Sequence, residues 1–229
     1  MRYALLAAAV LLAPAFAHAE TRDWQPARFD RVESVGSFNV TVVPGRQASV
    51  RAEGDRDELA RLRVGVEDGK LTLDYQRGGS WSWHSHGRVR ITVTTPAPIR
   101  GALLSGSGNI IVARVDAPAF KAEIAGSGNI RLDAVDTRAL SASIAGSGDI
   151  IATGHAARVS GDVAGSGNLR FAELRAEDLS GSIAGSGDLT AFATRTASLS
   201  IMGSGSARVR GGARCSVSKM GSGHADCGA

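Results

Sequence analysis

Three groups of residues in this chain carry side chains with chemical potential. The densest is Gly78-Gly79-Ser80-Trp81-Ser82-Trp83-His84-Ser85-His86-Gly87. Successive side chains of an extended backbone point to opposite faces, so Trp81 and Trp83 share one face there and His84 and His86 the other. Two imidazoles at that spacing can ligate zinc or copper, but a closed site needs further ligands that the sequence does not place. The indoles can instead stack on a sugar ring or fill a subunit interface, which makes these four residues a candidate interaction surface. Packing of the indoles over the end of the core, at a hairpin tip, is the competing explanation.

The second group is a set of serines, Ser107, Ser127, Ser147, Ser166, Ser186, Ser204 and Ser222, each inside a GSG triplet. A nucleophilic serine is singular and is held by a base. Seven equivalents, none in GxSxG, read as turn residues. The variant GSGD is similar to the loops of calcium-binding nonapeptide repeats, but those carry an Asp in every loop at half this period, whereas here only Asp149 and Asp188 occupy the position. The third group is Cys215 and Cys227. An isolated even pair in an exported chain reads as a disulfide; a metal site would have only His224 and Asp226 to add. No catalytic residue, metal site or cofactor is expected.

These side chains are carried on a repeat. GSG begins at Gly106, Gly126, Gly146, Gly165, Gly185, Gly203 and Gly221 and closes at Gly108, Gly128, Gly148, Gly167, Gly187, Gly205 and Gly223, with intervals of 20, 20, 19, 20, 18 and 18 residues. Two residues before each first Gly stand Leu104, Ile124, Ile144, Val163, Ile183 and Ile201; six before stand Phe120, Leu140, Val159, Leu179, Ala197 and Cys215. Between them lie Ala102, Ala122, Ala142, Gly161 and Gly181, and past the turn come Val112, Leu132, Ala152, Phe171, Ala191 and Val209. With a side-chain period of two, these are inward ladders, and the serine-rich positions between them face out. One outward row, Ile111, Arg131, Ile151, Arg170, Thr190 and Arg208, alternates apolar and basic residues. Its arginines Arg131, Arg170 and Arg208 form a candidate strip for an anionic glycan or a second copy of the rod, against the plainer reading of a solvated face.

Short strands repeated in register, none able to bury its apolar side alone, require stacking. The expected fold is all-β: a parallel right-handed β-solenoid with about 18–20 residues per coil over 100–229, ending in a C-terminal cap. Rungs at a spacing of about 4.8 Å make seven of them a segment of about 30 Å. The glycines supply positive φ at the corner. Residues 34–99 lack GSG but alternate as strands at 37–43, 48–52, 63–67, 70–75 and 88–95, with Glu67-Asp68-Gly69 as a hairpin turn and 55–62 as one helical turn or a loop. This part is expected to form irregular first coils or a cap, and 20–33 a flexible lead.

Residues 1–19 read as an export signal: Arg2, an apolar run over 4–13, and Ala17-His18-Ala19 as cleavage site. No stretch reaches the length of a membrane span, and no cysteine follows the cleavage site to take a lipid anchor. A periplasmic, extracellular or cell-surface location is expected. The chain is 43% hydrophobic but only 5% aromatic, which suits a thin repetitive core. Its net charge of +4 comes from 23 Arg and 3 Lys scattered among acidic residues. Nucleic-acid binding would concentrate them beside stacking aromatics, so none is expected.

The GSGNI and GSGDL turns, preceded by SFNVTVVPG, resemble the bacterial head GIN domain family of auto-transporter adhesins, over about residues 35–223. The resemblance implies a β-helix of pectin-lyase-like appearance without the catalytic residues of those enzymes, and a role in adhesion. Two functional readings follow. One is a non-enzymatic exported interaction or structural module, with a cell-surface glycan or protein, or a further copy of itself, as candidate partner. The other is a polysaccharide-degrading lyase or hydrolase, which needs a singular cluster of carboxylates, or a base beside calcium, interrupting one face. The GSG coils show no such interruption.

Overall fold

The structure is a computed structural model and describes residues 20–76 and 89–228. The export signal and the segment holding Trp81, Trp83, His84 and His86 lie outside the described residues. In chain order the elements are β1 (Glu20–Trp24), β2 (Arg31–Gly36), β3 (Asn39–Pro44), β4 (Ser49–Gly54), α1 (Arg56–Arg61), β5 (Leu62–Glu67), β6 (Lys70–Tyr75), β7 (Arg90–Thr95), β8 (Gly101–Gly106) and β9 (Asn109–Val112). They continue with β10 (Ala119–Gly126), β11 (Asn129–Gly146), β12 (Asp149–Gly165), β13 (Asn168–Gly185), β14 (Asp188–Gly203), β15 (Ser206–Arg210), β16 (Arg214–Met220) and β17 (His224–Cys227).

From β8 onward every pairing between coils is parallel and in the register of the repeat. Phe120 lies beside Leu140, then Val159, Leu179, Ala197 and Cys215 in turn. The first glycines from Gly106 to Gly203 stack at one corner in the same way. This is the expected β-solenoid. The ladders Leu104 to Ile201 and Val112 to Val209 are buried throughout, as are Ile110, Ile130, Ile150, Leu169 and Leu189. Each Val, Leu, Ile or Phe among them contributes roughly 1.5–3 kcal/mol by leaving water, and the neighbouring coils cover it. A second bend follows, where the pairing slips between Leu132 and Val135 and between Ile151 and Gly154. Ala134 takes φ 46° and Gly154 φ 125° there. Beyond it Val135, Leu174 and Ala176 are buried, so the core has a third side.

The first coil is built from β2 and β3, around a corner the sequence disguises. Gly36 has φ 132°, the value found at Gly106, and its carbonyl accepts from the backbone N–H of Ser107 and of Gly108 at 3.2 Å each. Gly36-Ser37-Phe38 is therefore a GSG turn whose third residue has become a buried phenylalanine. Stacking order departs from chain order here. The coil of β2 and β3 lies between β8 and β9 on one side and β6 and β7 on the other. The chain makes its second coil first, leaves through β4, α1 and β5, and returns to lay the end coil.

That end is closed by antiparallel strands: β4 on β7, β1 on β4 and β5 on β6. Asp68 and Gly69, with φ 49° and 73°, make the β5–β6 hairpin, and 55–62 resolves into α1 with Leu59 buried. The flexible lead expected over 20–33 is corrected: β1 covers the edge of β4 and β2 begins at Arg31. β1 carries no apolar alternation, so its sequence does not mark it as a strand. It is held by backbone pairing, by Trp24 packed against the core, and by surface charges, Asp23 to Arg51 at 2.8 Å and Glu20 to Arg56 at 2.9 Å.

Candidate functional site

The GSG corner is a backbone device. The N–H groups of Ser127 and Gly128 both donate to Gly106 O, at 3.0 and 3.1 Å, and Asn129 N–H donates to Gly108 O at 3.0 Å. The first Gly needs its positive φ. The second has ordinary φ but no room, because a Cβ on Gly128 would stand 2.1 Å from the Gly108 oxygen. The serines point to solvent and are not gathered around any base. Beside them runs an amide ladder: Asn109 donates to Asn39 (2.8 Å), Asn129 to Asn109 (2.9 Å), and Asn168 to Asp149 (2.7 Å). Where the acceptor is Asn129 or Asn168, the next rung's Asp149 or Asp188 answers with its backbone N–H. The ladder thus passes hydrogen bonds along the rod, and its carboxylates never meet on adjacent rungs.

The outward row of Arg131, Arg170 and Arg208 falls on successive rungs with Ile111, Ile151 and Thr190 interleaved. All three arginines are exposed, and each has a carboxylate partner: Asp133 at 3.1 Å, Asp149 at 2.9 Å and Asp226 at 3.7 Å. The row is charge-balanced. A shallow hollow of about 360 Å³ lies over Asn109, Ile111, Arg131, Asp149, Ile151 and Arg170.

A larger feature, which sequence reading did not single out, is a groove of about 670 Å³ that runs across β10–β14. Its floor is Phe120, Leu140, Val159 and Leu179, and one rim is the serine row Ser141, Ser160, Ser180 and Ser198. The floor residues turn inward while their neighbours on both sides turn out, so a trough forms over each and stacking makes it continuous. The signal was present as alternation, but an outward serine row says only which way its side chains face. On the other rim Asp178 accepts from Thr196 at 2.7 Å and forms a two-pronged ion pair with Arg195. Those bonds, Arg195 first, hold the Asp178 carboxyl well below the usual carboxylate range. Arg100 joins this groove to a second hollow of about 620 Å³ edged by Arg28, Asp30, Asp68 and Asp116.

At the far end Cys215 and Cys227 are bonded, with Cα atoms 6.4 Å apart. They occupy inward registers beside Ala197 and Val209, yet both are exposed, because among the described residues their rung has a neighbour on one side alone. Among the described residues no group of three or more His, Cys, Asp and Glu is placed to hold a metal, and no helix is long and apolar enough to cross a membrane.

The fold is shared with solved structures. A "putative adhesin" from Bacteroides fragilis superposes with a TM-score of 0.84 at 24% identity, over 92% of this chain and 97% of that one. A "putative lipid binding protein" from Parabacteroides distasonis gives 0.74 at 24% identity, over 91% and 96%. A "putative adhesin" from the same species gives 0.74 at 17% identity, over 92% and 97%. No curated protein matches the chain. The family described as "Putative auto-transporter adhesin, head GIN domain" matches residues 28–213, a span that runs from the first coil to the penultimate rung and takes in the corners stacked between them, and the chain belongs to that family.

Proposed function

We propose that the protein is an exported, non-enzymatic adhesin-like module that holds an extended cell-surface glycan along the flank of its rod. The observation that carries this reading is the continuity of the groove over Phe120, Leu140, Val159 and Leu179. Its chemistry repeats at every rung, about 4.8 Å apart, with an apolar floor and a hydroxyl rim. Such a lattice suits a polymer that offers the same face many times. A catalytic centre instead needs one singular constellation, and the groove's single tight carboxylate, Asp178, is engaged by Arg195 and Thr196. Family membership supports adhesion and an exported or surface location. The Trp81, Trp83, His84 and His86 segment is proposed as a second contact, since β6 and β7 on either side of it belong to the end coil.

The test is to present the purified chain with polyuronides and neutral surface glycans, reading binding and turnover separately. Binding without turnover, weakened by Ser160→Arg and Ser180→Arg in the groove, is expected. Product release from any of these polymers would overturn the non-enzymatic reading, and binding indifferent to the groove substitutions would move the site elsewhere.

A further inference from the structure

The two ends of the rod are finished differently. The end formed by β6 and β7 is covered by β1, β4, β5 and α1, and its outermost strands carry Glu20, Arg22, Asp23, Arg63 and Glu67. Charged, short outer strands resist pairing with another chain. At the other end, among the described residues, β16 pairs with β14 alone and β17 with β15 alone. The far edge of β16 therefore presents a row of backbone donors and acceptors that no strand among the described residues covers. Among the described residues the exposed large hydrophobic side chains are Met202, Val217 and Met220, at 60%, 45% and 70%. All three stand on the last two rungs, and Met202 and Met220 are register neighbours. Val217 lies in the inward row beside Leu199, so its exposure is that of a core left open.

We infer that this end is an association surface for a second copy of the chain, joined tail to tail through β16. The geometry of the strand selects the partner. Inner side chains stay on the inner face only if the two-fold axis passes through the sheet face, and that operation reverses the strand. The pairing is therefore antiparallel. Centred on Val217, it sets Val217 against Val217, Ser216 against Ser218, Cys215 against Lys219 and Arg214 against Met220. No like charges stand opposite one another, and Arg214 can lay its aliphatic stem along the methionine. Lys219 would oppose itself in a parallel in-register pair, so it disfavours that alternative. An isologous contact of this kind closes at two copies. The inference stands apart from the glycan reading, because the groove lies on the flank and remains open in the dimer.

Sedimentation velocity across a range of concentrations tests it, on the native chain and on Val217→Lys and Met220→Lys. Both positions are exposed, and Met220 faces away from the core, so circular dichroism of the Met220→Lys variant should match that of the native chain. A native dimer that both substitutions convert to monomer is the expected result. A native chain that stays monomeric, a ladder of larger species, or a dimer that survives both substitutions would overturn the inference.

Discussion

A Cβ placed on Gly128 would lie 2.1 Å from the carbonyl oxygen of Gly108 on the rung before it. The oxygen belongs to backbone, which cannot swing aside, and it already accepts from Asn129 N–H. Gly128→Ala must therefore push two rungs apart. The expected cost is about 1–3 kcal/mol, as for an overpacked core, whereas Ser127→Ala on the exposed middle residue should stay within about 0.5 kcal/mol. Urea denaturation midpoints of the two variants decide it, and equal midpoints would remove close stacking as the reason for the second glycine.

The inward row predicts an unequal pair of neighbours. Ile144 is 1% exposed, sandwiched between Ile124 and Val163. Ile144→Asp buries a charge with no partner and should cost about 3 kcal/mol or more, unfolding several coils together. Ser143→Ala, one residue away on the outer face, should change stability by less than about 0.5 kcal/mol. Thermal unfolding of both reads the difference, and similar shifts would invert the assigned faces.

The amide ladder predicts a charge effect that depends on stacking. Asn168 lies between Asp149 and Asp188. Asn168→Asp would line up three carboxylates on adjacent rungs and would also lose the side-chain donor that Asp149 accepts from. A loss of about 1 kcal/mol is expected from opposed like charges and the missing bond. Added salt, or a pH low enough to protonate the row, should return much of it. A loss insensitive to both would point to packing instead.

The bridge between Cys215 and Cys227 joins two sides of a coil that has only one neighbour. A loop of this length contributes about 2–3 kcal/mol by restricting the unfolded chain. Reduction should therefore speed amide exchange in β16 and β17 while leaving β11 to β13 unchanged. Two free thiols in denatured, unreduced material from an oxidising compartment would show that the end is held some other way.

Asp178 supplies a pH signature. Its ion pair with Arg195 and its bond from Thr196 depress the folded-state value, so the unfolded chain binds the proton more readily. The stabilisation is then fully present above the unfolded value near ~3.9 and is lost as pH falls through the lower folded value. Asp178→Asn should lack that acid-side loss, so the gap between variant and native stability narrows as pH drops below about 4. The group is solvent-screened, so salt should shrink the gap. A carboxyl titration by NMR that places Asp178 in the ordinary range would refute the pairing.

How much of this was legible beforehand depends on whether the information repeats. In a parallel in-register stack every residue contacts its own equivalent one coil away, so the long-range contacts of Ile144 with Ile124 and Val163 are written as local repetition. Period, inner rows, outer rows, the shared GSG corner and the Cys215–Cys227 closure could all be read from the sequence for that reason. What does not repeat was hidden. Nothing local says that β2 and β3 stack between two later pieces of chain, since any apolar-alternating strand fits either side of another. β1 is polar up to Trp24, its one apolar residue, and without alternation it is defined by the edge it covers. The balance of Arg170 and Arg208 arises from Asp149 and Asp226, brought beside them from neighbouring rungs, and the groove over Phe120 and Leu140 is continuous only because the coils stack in register. Alternation along the chain determines which way a side chain faces; only tertiary structure decides what it meets there, because that depends on distances between segments with no shared period.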